Sequence, residues 1–505
     1  MMKIFKFFFK LIFGRTTIFI TSLLVQLIIL FSFFIWYYEY IPYLWILSTI
    51  LSFLVIISIL NSESNPDFKM AWIIPILAIP IFGTLLYIIL NFQLIPKLIG
   101  RQVKQNEEKS MRNLKQKEIN FTDDRTKGFV NYMNSNGFII YENTKQEYFP
   151  LGEDKYVKLL EDLKKTKHFI FLEYFIISKG EMWNSILEIL KEKVKSGVEV
   201  RVMYDGMCSI MLLPYNYPKE LESYGIKCHI FNPIKAIIST YHNNRDHRKI
   251  VVIDGIIGYT GGVNLSDEYI NKKECYGHWK DTAIRIEGEA VNSLTQMFLT
   301  LWNTGKVNNE DFLNYKKEHK ADSDGYVMPY YDNPYDNKNI GKQVYMDIIS
   351  RASKYLYITT PYLVLDYELL NALKYAANRG VKVKILLPHI PDKKYVYMLA
   401  RVHYEELIND GIEIYEYKSG FIHAKMFISD DEIATIGTFN LDFRSLYLNF
   451  EDGIYLYKSK TINEMKKDFL NTINKSIKIT KQNVKQYSKI KLFIGEILRL
   501  IAPLT

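Results

Sequence analysis

The sequence predicts an α/β protein of two related lobes that follow an apolar N-terminal region. One motif, with the same residue types at the same offsets, occurs twice in the chain. Segments upstream of each copy also align, FIFLEYFI at 169–176 with YLYITTPYL at 355–363. Three uncharged runs precede residue 97, and each exceeds the roughly 20 residues that span a bilayer. We therefore expect two or three transmembrane helices and an intrachain pseudo-dimer of two α/β lobes.

The repeated motif opens with His-x-Lys. It reads HRKIVVIDGIIGYTGGVN in the first copy and HAKMFISDDEIATIGTFN in the second. The apolar run after each lysine is typical of a short buried strand that ends in a turn. Because side chains at i and i+2 share a strand face, each histidine and lysine should emerge together. The candidate catalytic and phosphate-binding residues are His247, Lys249, Asp254 and Asn264 in the first copy, and His423, Lys425, Asp430 and Asn440 in the second.

These residue types indicate phosphate chemistry. An ammonium and an amide offer donors to phosphoryl oxygens, and a histidine can attack phosphorus or protonate a leaving oxygen. The glycines before each asparagine should let the backbone approach a ligand. Asp254 and Asp430 belong to the motif, but we expect them to fix turns through backbone amides rather than to contact substrate.

The paired motifs resemble the phospholipase D superfamily. Longer strings, GHWKDTAIRIEG and GFIHAKMFISDDEIATIGTFNLDFRSLYLNFE, resemble the bacterial cardiolipin synthases, from about residue 40 to the end. The resemblance implies that two phosphatidylglycerols give cardiolipin and glycerol through a phosphohistidine. It assigns His247 as nucleophile and His423 as acid/base. It also implies that Lys249, Lys425, Asn264 and Asn440 hold the phosphoryl oxygens.

Two carboxylates stand in matching positions after the motifs, Asp281 within HWKDT and Glu451 within LNFE. A histidine that acts at neutral pH needs its second ring nitrogen held by an acceptor, so we assign both residues as histidine-orienting. The separation from the histidine of the same half differs, 34 residues for Asp281 and 28 for Glu451. Ordinary surface carboxylates therefore remain the alternative.

No cofactor and no metal are predicted, because the lysines already place cations around the phosphate. His242 and His247 lack cysteine or carboxylate partners at metal-ligand spacing. The three cysteines form no CxxC pair, which indicates a reducing compartment or little use of disulfides.

The uncharged runs cover residues 16–38, 40–62 and 70–96. They predict a multi-pass cell-membrane protein. Basic residues before the first run favour a cytoplasmic N-terminus, which with three spans would place the catalytic body outside. Lys97, Arg101 and Lys104 favour a cytoplasmic body instead, as does the family resemblance. The orientation is thus open, with a cytoplasmic body favoured.

The organisation follows from these features and from polar stretches between them. The first lobe should contain strands near 137–141, 169–176, 198–204 and 227–231. The C-terminal helix is amphipathic, and it either lies on the membrane or packs on the second lobe. The predicted units are a membrane region (1–96), a charged linker (97–125), the first lobe (126–303), an inter-lobe linker (304–325), the second lobe (326–480) and the amphipathic helix (481–505).

The expected partners are phosphatidylglycerol and membrane lipid, not nucleic acid. The net charge of +9 suits an anionic membrane or a phosphate substrate as well as nucleic acid, but the membrane spans argue against a nuclease. A hydrolytic phospholipase D and a synthase that uses phosphatidylethanolamine remain alternatives. A non-catalytic scaffold would not need two intact motifs. The oligomeric state is left open.

Overall fold

The computed structural model contains two mixed β-sheets, one in each half of the chain. It describes residues 41–91, 94–111, 121–233, 243–305 and 311–504, together with Leu24, Ile28, Ser32, Leu114 and Ile119. Within these residues the first sheet has seven strands and the second has eight. The strands of the first sheet lie within residues 144–288, and those of the second lie within residues 326–479.

The first sheet combines a parallel half with an antiparallel half. Its strands are β1 (Thr144–Phe149), β2 (Phe169–Tyr174), β3 (Glu199–Asp205), β4 (Lys227–Phe231), β5 (Lys249–Ile253), β6 (Ile257–Gly261) and β8 (Ala283–Gly288). Their order is β1-β8-β6-β5-β2-β3-β4, with β2, β3 and β4 parallel. The first motif begins just before β5, so its lysine starts a central strand.

The second sheet repeats this arrangement. Its strands are β9 (Tyr326–Asp332), β10 (Tyr355–Thr359), β11 (Lys382–Pro388), β12 (Glu413–Tyr417), β14 (Met426–Ser429), β15 (Ile433–Gly437), β16 (Glu451–Tyr457) and β17 (Ser476–Ile479). Their order is β17-β12-β11-β10-β14-β15-β16-β9. In both sheets the strand after the His-x-Lys triplet pairs antiparallel with the first strand of the parallel set, β5 with β2 and β14 with β10.

One predicted strand is wrong and another was missed. Residues 137–141 form no strand, and Tyr141 makes only an isolated bridge with Val327. The edge strand of the first sheet is instead β1, which pairs antiparallel with β8. Its sequence, TKQEYF, is mostly polar because one side of this edge strand is open, so apolar patterning does not reveal it.

Helices cover the sheets and join the lobes. They are α1 (Ile41–Leu60), α2 (Pro66–Ala78), α3 (Pro80–Asn91), α4 (Leu94–Met111), α5 (Asp124–Ser135), α6 (Gly152–Lys165), α7 (Glu181–Lys195), α8 (Gly206–Met211), α9 (Tyr217–Ser223), α10 (Val291–Trp302), α11 (Ile340–Arg351), α12 (Tyr367–Asn378), α13 (Lys394–Asn409), α14 (Thr461–Ile473), α15 (Lys481–Lys485) and α16 (Lys489–Ile501).

The two lobes share a hydrophobic core. Every residue of α10 is buried, and the cluster around it contains Phe171 and Ile250 from the first lobe together with Val344 and Ile358 from the second. A short parallel pair, β7 (His278–Lys280) with β13 (Gly420–Ile422), adds backbone hydrogen bonds between the lobes. Because separating the lobes would expose this core to water, we expect them to behave as one unit.

The third uncharged run was expected to form one membrane-spanning helix, but the structure divides it into separate helices. Helix α2 ends at Ala78, Ile79 leaves the helical region with φ −138° and ψ 79°, and α3 begins at Pro80. Proline has no N–H to continue the helical hydrogen bonds, which explains the break. Within the parts of the chain that the structure describes, no helix has both the length and the apolar character to cross a bilayer. The first run, apart from three isolated positions, lies outside the described residues.

The N-terminal helices dock on the second lobe near residues 443–447. The Phe68 ring of α2 packs edge-on against Phe443 and Tyr447, with ring centroids 5.8 and 5.4 Å apart. Asn65 donates a hydrogen bond to the Tyr447 hydroxyl at 2.7 Å. The apolar N-terminal region is thereby joined to a segment that directly follows the second motif.

The C-terminal helix α16 packs on α13 of the second lobe. A Cβ on Gly495 would lie 2.7 Å from Val402 Cγ2, so glycine allows the two helices to approach closely. The opposite side of α16 still exposes large apolar side chains, among them Ile490, Phe493 and Ile497. The helix therefore contacts the lobe and also presents an apolar surface to its surroundings.

Candidate active site

Each motif histidine is held through its backbone by the other lobe. The His247 N–H donates to the carbonyl of Phe450 at 2.9 Å, and the His423 N–H donates to the carbonyl of Lys280 at 2.7 Å. The segment before β5 thus contacts the segment before β16, while β13 carries His423 to the end of β7. These reciprocal bonds bring both motifs to the interface between the lobes.

The two carboxylates predicted to orient the histidines contact them across the lobe interface. His247 Nδ1 lies 2.8 Å from Glu451 Oε2, and His423 Nδ1 lies 2.7 Å from Asp281 Oδ2. The separations of 34 and 28 residues were counted from the histidine of the same half, but each carboxylate contacts the histidine of the other half. Neither carboxylate is a surface group, because both side chains are fully buried.

Further polar groups fix the two carboxylates. Glu451 Oε2 accepts a second hydrogen bond from Thr438 Oγ1 at 2.5 Å, and its Oε1 accepts one from Asn449 at 3.1 Å. Asp281 Oδ1 accepts from the Thr282 N–H at 2.8 Å. These hydrogen bonds hold each carboxylate in one orientation toward its histidine.

The motif glycines leave room for neighbouring protein segments. A Cβ on Gly262 would lie 2.0 Å from Asp281 Oδ1, so only glycine leaves room for this carboxylate. A Cβ on Gly437 would similarly lie 2.3 Å from the carbonyl oxygen of Asp452. The close approach is therefore made by the neighbouring protein segments, which contain Asp281 and Asp452.

The two motif lysines are buried and contribute to a shared electrostatic field. Each donates a hydrogen bond to the carbonyl of its own motif histidine. Burial lowers the pKa of Lys249 to about 8 and that of Lys425 to about 7. Lys425 acts on the pKa of His247 in the other lobe, and Lys249 acts on that of His423. The two His-Lys pairs consequently form a single site.

The two histidines differ in charge environment. Burial lowers the pKa of His247 well below its usual value, and Lys249 and Lys425 lower it further. Burial also lowers the pKa of His423, to about 4, but Asp281 opposes this shift. Both rings keep a small exposed fraction, 12% for His247 and 8% for His423, so each can be reached from the site.

The carboxylates paired with the two histidines also differ in the direction of their pKa shifts. Burial raises the pKa of Glu451 to about 7, although Lys249 and Thr438 act to lower it. Burial also acts to raise the pKa of Asp281, but His423 and Lys425 outweigh it and the net shift is downward. Asp281 is therefore ionised at neutral pH, whereas Glu451 titrates there.

The two asparagines are not equivalent. Asn264 Oδ1 accepts from the Ile176 N–H at 3.1 Å, and its amide donates to the Tyr269 hydroxyl at 2.7 Å. Asn440 is also buried, but its Oδ1 has no hydrogen-bond partner among the described residues. Since buried polar atoms rarely stay unpaired, the Asn440 Oδ1 has spare capacity to accept a hydrogen bond from a ligand hydroxyl.

The motif aspartates lie at the opposite ends of their strands from the histidines. Asp254 follows β5, whereas His247 precedes it, and a strand advances roughly 3.3 Å per residue. Asp254 accepts from the backbone N–H groups of 167–169 at 2.7–2.9 Å, and Asp430 accepts from those of 353–355 at the same distances. Each aspartate fixes the start of the neighbouring strand, as its turn role predicted.

Removing the Asp254 carboxylate should therefore affect stability rather than chemistry. Asp254→Ala leaves three backbone N–H groups without their acceptor, a loss on the order of 3 kcal/mol. We expect a melting temperature several degrees lower in a thermal scan, with the turnover of the folded protein retained. Asp322→Ala, at an exposed position, is the matched control. Loss of turnover without loss of stability would place Asp254 in the chemistry.

Sequence reasoning missed a buried ionic network beside the first motif. Arg248 pairs with Glu173 at 2.6 Å and with Asp246 at 3.5 Å, and all three side chains are almost completely buried. Thr260 also donates to Asp452 of the other lobe at 2.5 Å. The only sequence signal was the charged run RDHRK around His247. Both chain neighbours of His247, Asp246 and Arg248, thus take part in buried ion pairs.

Comparison with known proteins agrees with this geometry. A family model described as "Cardiolipin synthase, PLD-like domain" matches residues 159–302 and again residues 345–473. A second, "Phospholipase_D-nuclease N-terminal", matches residues 50–90. The chain belongs to the cardiolipin synthase family. This confirms the predicted resemblance and places the chain among the phosphatidyltransferases.

Curated relatives match over most of the chain. A cardiolipin synthase of Oceanobacillus iheyensis is 35% identical over 475 residues, which cover 90% of this chain and 98% of that protein. A cardiolipin synthase of Alkalihalophilus pseudofirmus is 38% identical over 357 residues, covering 70% and 71%. An uncharacterised protein of Streptococcus mutans is 43% identical over 462 residues, covering 89% and 99%.

The fold also has a solved neighbour. The crystal structure of a phosphatidylserine synthase from Haemophilus influenzae superposes with a TM-score of 0.57 at 16% identity, covering 75% of this chain and 98% of that one. At this identity the likeness concerns the fold alone. It confirms the predicted two-lobed α/β architecture.

Proposed function

We propose that the protein synthesises cardiolipin from two phosphatidylglycerol molecules. His247 Nε2 attacks the phosphorus of the first lipid, and the bond from phosphorus to the headgroup glycerol breaks as His423 gives that glycerol a proton. The headgroup hydroxyl of the second lipid then loses its proton to His423 and attacks the phosphorus, releasing His247. The products are cardiolipin and glycerol, and covalent catalysis divides one displacement into two.

The observation that carries this proposal is the crossed pairing of each motif histidine with a carboxylate of the other lobe. In both pairs the carboxylate occupies Nδ1, which leaves Nε2 for the phosphate. Lys249 and Lys425 both act on the pKa of each ring and can stabilise charge on the phosphoryl oxygens. An amide as tightly engaged as that of Asn264 fits a supporting role better.

The assignment of roles follows from the difference between the histidines. Burial lowers the pKa of both histidines, but ionised Asp281 opposes this shift at His423, so His423 is the more readily protonated of the two and fits the acid/base role better. The surroundings of His247 act against protonation, so its ring stays a neutral nucleophile. These environments support His247 as nucleophile and His423 as acid/base.

The substrate is proposed to reach the site at a membrane surface. Helix α1 exposes Ile46, Leu47 and Phe53, and α16 exposes Ile490 and Phe493. Exposed apolar surface of this extent suits lipid contact. We propose that the N-terminal region inserts into the cell membrane, with the two lobes on its cytoplasmic side.

Analysis of lipid products tests the proposed reaction. Purified protein in mixed micelles with labelled phosphatidylglycerol should form cardiolipin and glycerol in equal amounts. Phosphatidic acid as the main product would show a hydrolase instead. A requirement for added phosphatidylethanolamine would show that this lipid, and not a second phosphatidylglycerol, is the other substrate. No turnover at all would contradict an enzymatic role.

The rate should rise with pH through about 7, the pKa to which burial raises Glu451. Only the ionised carboxylate accepts the Nδ1 proton of His247 and so leaves the Nε2 lone pair free to attack. Protonated Glu451, present below that pH, would donate to Nδ1 and reverse the tautomer. A profile of kcat/KM against pH measures this. Above this range the rate should fall again as Lys425 and Lys249 lose their charges. The absence of a rise on the acid side of pH 7 would contradict the proposed state of the pair.

A further inference from the structure

A cleft of about 440 Å³ lies beside the second motif, between the second lobe and the end of α16. One side is apolar, with Val364, Val396, Leu399 and Ala502. The other side is charged and contains Lys393, Asp442 and Arg444. A ligand that fits both sides has an anionic group attached to an apolar body.

The charged side of the cleft adjoins the catalytic site. Asp442 lies two residues after Asn440, and Arg444 begins the π-helical turn that leads to Glu451. Lys393 and Arg444 both act on the pKa of His247, in addition to burial and the two motif lysines. These two cations are therefore close to the chemistry but separate from the Lys249–Lys425 pair.

The cations are held by the protein in defined positions. Arg444 Nη1 donates to the carbonyl of Asn243 at 3.0 Å, which anchors the guanidinium. Its other donors have no hydrogen-bond partner among the described residues. The Lys393 ammonium lies over the Tyr362 ring, 5.3 Å from its centroid. The Asp442 carboxyl accepts from the Ser445 N–H at 2.8 Å and can also accept a hydrogen bond from a headgroup hydroxyl.

The apolar side of the cleft continues into the surface proposed to contact lipid. Ala502 follows the last residue of α16, and Val364 and Leu399 form one cluster with Phe443 and Phe68 of α2. The cleft thus opens where the exposed faces of the N-terminal and C-terminal helices meet the second lobe. Acyl chains can remain in the bilayer while a headgroup enters.

We propose that this cleft binds the acceptor phospholipid, with its phosphate at Lys393 and Arg444 and the start of its acyl chains against Val396 and Leu399. The inference rests on the proposed function, because cardiolipin synthesis brings two phosphates to one site. The donor phosphate takes the motif lysines. A second pair of cations then matches the second phosphate, and charge complementarity selects an anionic lipid.

The test compares two acceptors for the same phosphatidyl-enzyme. Cardiolipin formation uses a lipid acceptor that carries a phosphate, whereas exchange of labelled glycerol into phosphatidylglycerol uses a neutral acceptor without one. Lys393→Ala and Arg444→Gln should each lower kcat/KM for cardiolipin formation about tenfold or more, since each removes a charged hydrogen bond. Glycerol exchange should be unchanged, because the donor site is intact.

Lys394→Ala is the matched control, since this exposed neighbour does not line the cleft. Lys393 is itself exposed, so its replacement tests the inference even where Arg444→Gln disturbs folding. Equal loss of exchange and synthesis, or no loss of either, would overturn the acceptor site. Absence of glycerol exchange in the unmodified protein would instead refute the phosphatidyl-enzyme of the proposed function.

Discussion

Replacing His247 by alanine is expected to lower cardiolipin synthesis by about 10⁴-fold or more, because no other group can form the covalent bond to phosphorus. His423→Ala removes the proton donor and acceptor of both steps and should cost about 10²- to 10⁴-fold. Initial rates with labelled phosphatidylglycerol in mixed micelles measure both losses. Retention of synthesis in either variant would refute the two-histidine mechanism.

A matched control exists for these histidines. His389 forms the same kind of pair, with its Nδ1 2.8 Å from Glu416 Oε2, but it lies outside both motifs. His389→Ala should therefore leave synthesis intact. A loss comparable with that of His247→Ala would mean that the assay reports damaged folding rather than lost chemistry.

Glu451→Gln and Asp281→Asn are expected to produce the next largest losses, about 10²- to 10⁴-fold in kcat, with KM little changed. Each amide is close to isosteric with the carboxylate, but it can no longer hold the Nδ1 proton and stabilise an imidazolium. Steady-state kinetics measure the loss. The rise of the rate on the acid side of pH 7 should also disappear in Glu451→Gln, because the carboxyl that causes it is gone.

The crossed pairing gives this prediction a second readout. ¹⁵N NMR of histidine-labelled protein should show that Glu451→Gln perturbs the ring nitrogens of His247, and that Asp281→Asn perturbs those of His423. Pairing within each half would give the opposite pattern. That result would contradict the reciprocal clamp between the lobes.

The sequence predicted those features that depend on local pattern. Two His-x-Lys triplets before apolar runs indicated the central strands and the pseudo-dimer, because strand periodicity brings His247 and Lys249 out together. Asp281 and Glu451 were identified because they stand at matching positions after the two motifs. The turn role of Asp254 followed from its place after a strand, and the structure supplies its three backbone donors.

Other features depend on contacts that the sequence does not encode locally. Which carboxylate meets which histidine is decided by how the lobes dock, so counting from His247 to Asp281 was uninformative. Local pattern did not indicate that Gly262 makes room for Asp281. Strand β1 lies at an edge and lacks an apolar pattern. Hydropathy alone does not show where a helix is interrupted, so the break before Pro80 in the uncharged run of 70–96 was not predicted.

The stereochemical course at phosphorus tests the covalent two-step mechanism most directly. Phosphatidylglycerol made chiral at phosphorus by one non-bridging sulfur serves as donor, and the configuration of the transferred group in the cardiolipin is determined. Each in-line displacement inverts phosphorus, so attack by His247 followed by attack of the acceptor predicts overall retention. Inversion would show a single direct transfer between lipids and would contradict the phosphohistidine.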